Sequence, residues 1–91
     1  MPDVGGDLST LRDLKSSLER SAGEAGDVKR VLDGSVGSAV WRGPNADKFR
    51  QAWQEFSPVF TRLQEALGEA SNDVRTQHNN LAAAVGSGES I

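Results

Sequence analysis

AVWRGPNADKF, residues 39–49, separates two stretches of helical apolar periodicity and decides how they are joined. Gly43 permits a backbone reversal that residues bearing a Cβ resist. Pro44 has its φ preset for a first helical turn, and Asp47 places negative charge near the new N-terminus. One helix stops here and another starts. Across so short a connection the two lie antiparallel, as a helical hairpin with its bend at Trp41-Arg42-Gly43. The large ring of Trp41 is placed to cover the open end of the seam.

Before the bend, Leu11, Leu14, Leu18, Ala22, Ala25, Val28, Leu32, Val36 and Ala39 recur at steps of three or four, and Leu8 extends the stripe backwards. This predicts a first helix over about 8–40, capped by Ser9 or Asp7, with residues 1–7 a flexible N-terminus. After it, Ala46, Phe49, Trp53, Phe56, Phe60, Leu63, Leu67, Ala70, Val74, Gln77, Leu81 and Ala84 keep the same spacing, a heptad seam with one polar member. The second helix is expected over about 45–85. Pro58 removes one of its backbone hydrogen bonds but falls on the outer face, which predicts a bend around the partner helix, a complete break being the alternative. Gly86 suits a left-handed helix stop, leaving residues 86–91 as a loose tail.

Two rods side by side shield only the faces they turn to each other. Here Phe49, Trp53, Phe56, Phe60, Leu63 and Leu67, flanked by Val59, oppose Leu14, Leu18, Val28 and Leu32, and much of that surface would stay wet in a monomer. A contiguous exposed apolar patch marks an interaction site. The fold expected is therefore all-α: an antiparallel two-helix hairpin, residues 8–85, that dimerises into a four-helix bundle, with those eleven residues as its core or dimer seam. Gly23, Gly26, Gly34 and Gly37 fall on the outer face of the first helix by the heptad count. They mean either a close approach by another protein or a weak helix, and weakness needs no further function.

Composition narrows the chemistry. The sequence has 91 residues, no Cys and 1 His, which leaves no disulfide and no zinc ligand cluster, so stability must come from packing. No apolar run approaches the ~20 residues of a membrane span, and the start lacks the charged and apolar segments of a secretory signal peptide. With 10 Lys and Arg scattered among 13 Asp and Glu, the net charge is −3 and nucleic acid is not an expected partner. No carboxylate pair or Ser, His and Asp arrangement suggests catalysis, so neither an enzyme nor a cofactor is expected. His78 reads as a half-buried polar residue before it reads as a pH switch. Gln77 either fixes register in the seam or marks where packing ends.

Trp41-Arg42-Gly43 between two heptad-patterned helices, followed by Ala46, Phe49 and Trp53, resembles the Trp-x-Gly (WXG-hundred) family, the early-secretory-antigen-like helical hairpins of type VII secretion. The resemblance covers essentially the whole chain. It implies an antiparallel homodimer or heterodimer, exported folded across the envelope of actinobacteria and other Gram-positive bacteria by a membrane ATPase, from a cytoplasmic pool and without a signal peptide. Carried over residue by residue, only Trp41 and Gly43 map onto the signature, as the export-recognition feature and the bend. One element departs from the pattern. Many members, or one partner of each heterodimer, carry after the second helix a Tyr followed four residues later by Asp or Glu, and this chain has no Tyr. Either a related hairpin supplies the signal, the reading favoured here, or a variant lies in GSGESI with Ile91 as its apolar anchor. The expected function is thus a secreted, dimerising substrate or adaptor of a type VII system, with a homologous hairpin and the membrane ATPase as partners. The alternative is a non-secreted cytoplasmic scaffold or interaction module.

Overall fold

A computed structural model describes residues 6–91, so most of the N-terminal segment, residues 1–5, lies outside the described residues. Three helices follow one another: α1 (Leu8–Ser38), α2 (Pro44–Phe56) and α3 (Pro58–Ala84). Among the described residues there is no strand. The molecule is a flat rod, 64 × 25 × 14 Å, one helix thick and two wide.

α1 starts where the capping chemistry allows. Of the two candidate caps the structure uses Asp7, whose carboxylate accepts from the Thr10 N–H at 3.0 Å and from the Ser9 hydroxyl at 2.8 Å. These bonds, the Ser9 one first, hold its carboxyl below the ordinary range. α1 ends at Ser38 and the backbone turns extended at Ala39, slightly short of the expected boundary.

Pro58 kinks the second arm without turning it aside. Ser57, between α2 and α3, keeps helical dihedrals (φ −56°, ψ −33°) and donates to the Trp53 carbonyl at 2.7 Å. Phe60 N–H then reaches Ser57 O at 3.1 Å, a tighter turn, because the proline offers no N–H to continue the ladder. α2 and α3 thus form one long bent arm, and Pro58 is exposed on its outer side. α3 is the part that packs along α1, and α2 lies against it only loosely.

The buried line between α1 and α3 keeps part of the expected seam and takes in Ser71, His78 and Ala82 from outside it. Ala25, Ser71, His78 and Ala82 are buried, with Leu11, Leu18, Ala22, Leu67, Val74 and Leu81 half-buried beside them. Small side chains let the helices approach closely, and the contact line runs through positions 71, 78 and 82 beside the heptad positions 70, 77 and 84. Gln77 consequently faces solvent and neighbouring His78 is fully buried, not half-buried as the sequence suggested. Gly26 also belongs inside: a Cβ there would come within 2.9 Å of the Gln64 amide, whereas Gly23, Gly34 and Gly37 face open space. The helices are cross-linked by Ser71 Oγ donating to Glu19 Oε1 at 3.3 Å. Glu19 also holds Lys15 at 2.6 Å, and that lysine is the main reason its carboxyl sits below the ordinary value.

At the far end, Gly86 takes φ 72° and closes α3: Gly86 N–H donates to Ala83 O and Ser87 N–H to Ala82 O, the paired bonds of a left-handed helix stop. Residues 86–91, expected as a loose tail, turn back toward the helices in the structure.

Candidate functional site

The bend is built by a clamp that spans the two arms. α1 carries no basic residue in its last turn, so its terminal carbonyls have no local cation to meet. Arg50, one turn beyond Ala46 on α2, supplies one from across the bend. Its guanidinium donates to Trp41 O at 2.9 Å and to Ala39 O at 3.1 Å. Gly43 caps α2 with φ 117° and ψ 175°, a conformation that a Cβ would strain, and its carbonyl accepts from Asp47 N–H at 3.1 Å. Trp41 and Gly43 therefore flank a backbone turn whose shape Arg50 fixes.

The Trp41 ring tilts against Phe49, centroids 5.9 Å apart, and Ala46 of α2 has no exposed surface. Yet Trp41 remains 46% exposed, so its ring presents a face to solvent at the tip of the rod. Trp53, a turn further along, bridges the arms: its indole N–H donates to Asp33 Oδ1 at 2.7 Å. Lys29 first, and then this indole, keep the Asp33 carboxyl below its ordinary value. Beyond that bond the arms stand apart, leaving a cleft of about 400 Å³ lined by Asp33, Val36, Gly37, Arg50, Trp53 and Gln54.

The remaining apolar candidates divide by exposure. Leu18, Trp53, Val59, Phe60 and Leu67 are half-buried, and Phe60 receives Trp53 and Phe56 at centroid distances of 5.8 and 5.6 Å. Leu14, Val28, Leu32, Phe49, Phe56 and Leu63 are exposed. At 3.6 residues per turn, Leu14, Val28 and Leu32 lie to one side of the α1 contact line, and Phe56 and Leu63 to the corresponding side of the opposite arm. Because the arms are antiparallel, those two sides form one flat face. The candidates do not converge on a point; they spread along the rod, densest between Val28 and Leu63, toward the bend.

Nothing in this arrangement gathers reactive groups. Among the described residues there is no cluster of three His, Cys, Asp or Glu side chains placed to hold a metal, and no helix is long and apolar enough to cross a membrane. What the geometry presents is a clamped Trp-Arg-Gly turn at the tip and an uncovered apolar face below it.

A family model described as "Proteins of 100 residues with WXG" matches residues 6–85, nearly the whole helical hairpin. The chain belongs to the WXG100 family. No curated protein and no solved structure matches it. WXG100 proteins are small helical proteins known as type VII secretion substrates; the family is not one of enzymes, and its members typically form dimers. In this WXG100 chain the signature is Trp41-Arg42-Gly43. Its structural logic extends beyond the tripeptide to Arg50, Phe49 and Asp33, which reading the sequence did not single out as a unit. The missing cation at the end of α1, with an arginine one turn past Ala46, was the signal available for Arg50.

Proposed function

We propose that this chain is a secreted substrate or adaptor of a type VII secretion system, which leaves the cell folded as a four-helix bundle formed with a related hairpin. The observation that carries the reading is the apolar face of Leu14, Val28, Leu32, Phe56 and Leu63, left open on a rod too thin to cover it. A face 64 Å long and 25 Å wide has ample room for the ~800 Å² per partner of a stable interface. Membership of the WXG100 family supports the same assignment. In this reading Trp41 and Gly43 form the recognition feature at the tip, with Arg50 holding its shape. The seam residues named above form the bundle core, and a related hairpin carries the Tyr-containing signal that this chain lacks.

The experiment is export from a strain with a working secretion ATPase against one without it, scored in culture supernatant and cell lysate, together with one-to-one co-purification of the neighbouring hairpin gene product. ATPase-dependent appearance in the supernatant supports the proposal. Retention in the lysate of both strains, with a partner bound, identifies a cytoplasmic interaction module instead.

A further inference from the structure

The end of the rod opposite the bend contains a small built site that the bundle does not explain. Gly86 and Gly88, with φ of 72° and 73°, reverse the chain after α3 so that residue 91 returns alongside residue 79. There the Asn79 carboxamide pairs with both backbone groups of Ile91: its Oδ1 accepts from the N–H at 2.9 Å and its Nδ2 donates to the carbonyl oxygen at 3.3 Å. An amide side chain used this way imitates a neighbouring β-strand and recognises an extended backbone rather than a side chain.

Three further contacts fix the arrangement. Asn79 Oδ1 lies 3.0 Å from His78 Nδ1. A carbonyl oxygen has no proton to give, so the imidazole carries its proton on Nδ1 and donates. That bond, with the imidazole fully buried, sets which way the Asn79 amide points. The buried Nε2 atom has no hydrogen-bond partner among the described residues. From the other side, Glu89 forms an ion pair with Arg12 of α1 at 3.1 Å, and Ser87 Oγ accepts from the Glu89 N–H. The returning segment therefore touches both helices, and Ile91 becomes half-buried.

We propose that this end of the hairpin is a docking site for a short extended peptide segment, that its resident is the chain's own residues 86–91, and that the segment acts as a latch. Asn79 is the reading group, His78 its positioning residue, and Arg12 the electrostatic tether. Ordering several residues costs backbone entropy at least as large as two side-chain hydrogen bonds and an exposed ion pair return, so the half-burial of Ile91 must supply the rest and the segment is held only marginally. The latch accordingly opens without unfolding the helices. Any protein that grips residues 86–91 as an extended strand competes with Asn79 for the same backbone groups. The proposal stands apart from the secretion reading, since it concerns a contact within one chain.

The test is amide NMR on the intact protein, with cleavage after Glu89 by a glutamate-specific protease as a second readout. In the native chain the Ile91 amide is shifted from its coil position and its exchange is slowed, at any protein concentration. Asn79→Ala moves that amide to the coil position and raises the cleavage rate about tenfold, since two hydrogen bonds worth a few-fold each are lost. Gly88→Val, outside the helices, produces the same displacement by forbidding the positive φ, and so keeps the test valid if Asn79→Ala disturbs folding. A native Ile91 amide already at its coil position, or one unmoved by both substitutions, overturns the proposal. Protection that grows with concentration also overturns it, by showing that the segment docks on a second molecule.

Discussion

Truncating Phe56 to Ala probes the exposed face at its one aromatic residue. The residue is 54% exposed, so about 110 Å² of a ~200 Å² side chain remains in water in the lone hairpin. If the partner covers that area, its burial contributes about 2.75 kcal/mol at ~25 cal/mol per Å², and Phe56→Ala weakens association on the order of 100-fold. In a symmetric dimer the loss occurs twice. Leu63→Ala, at 45% exposed on the same face, should act in the same direction and less strongly. Val40 is the control: at 91% exposed it is the most open large apolar side chain among the described residues, but it lies in the connection at the tip and off the face, so Val40→Ala should leave association unchanged. Sedimentation equilibrium across a concentration series, with helicity followed by circular dichroism, provides the readout. Phe56→Ala and Leu63→Ala chains that stay helical and associate as tightly as the native protein would refute the reasoning. So would a Val40→Ala chain that weakens as much as they do.

Three further outcomes follow from particular contacts. Gly23→Ala and Gly34→Ala each meet open space, so each should raise the stability of the hairpin by about 1 kcal/mol in thermal unfolding; a variant that gains stability but loses association would show that another chain approaches α1 there. Arg50→Met removes both hydrogen bonds across the bend and should cost about 1–2 kcal/mol while freeing the Trp41 ring, seen as lower fluorescence anisotropy in a Trp53→Phe background. Asp7, Glu19 and Asp33 are all held below their ordinary values of 3.8, 4.5 and 3.8, chiefly by Ser9, Lys15 and Lys29 respectively. The folded state therefore binds fewer protons than the unfolded chain as these groups titrate. Their stabilisation is complete above about pH 5 and is lost as pH falls through the lowered values, so the melting temperature should fall with acid below about pH 4.5, and salt should weaken the Glu19 and Asp33 contributions, which rest on lysine partners at exposed carboxylates.

The hairpin was legible because its signals are local and repeated. Apolar steps of three and four fix both arms, Gly43-Pro44 fixes the joint, and Gly86 fixes the stop. What the sequence left open was decided by side-chain size at a distance. The heptad count already includes Ala22 and Ala25, but on α3 it runs through positions 70, 77 and 84, whereas the residues buried there are Ser71, His78 and Ala82, so the contact line sits beside the count and Phe56 and Leu63 turn outward. That one-residue rotation exposes Gln77, buries His78 and brings Gly26 against Gln64. Arg50, Asp33 and Asn79 act on partners 9 to 20 residues away, beyond the reach of any periodicity. Trp41 and Gly43 were visible as a motif, while the clamp that shapes them was not.

The most direct measurement is the absolute mass in solution, by light scattering on the eluting peak, of the chain alone and after mixing with a candidate hairpin partner. A mass of twice 9.7 kDa for the chain alone, or a one-to-one complex with the partner, is the predicted result. A well-folded 9.7 kDa species that persists at tens of micromolar and takes up no second hairpin would contradict the claim that this rod is completed by another molecule.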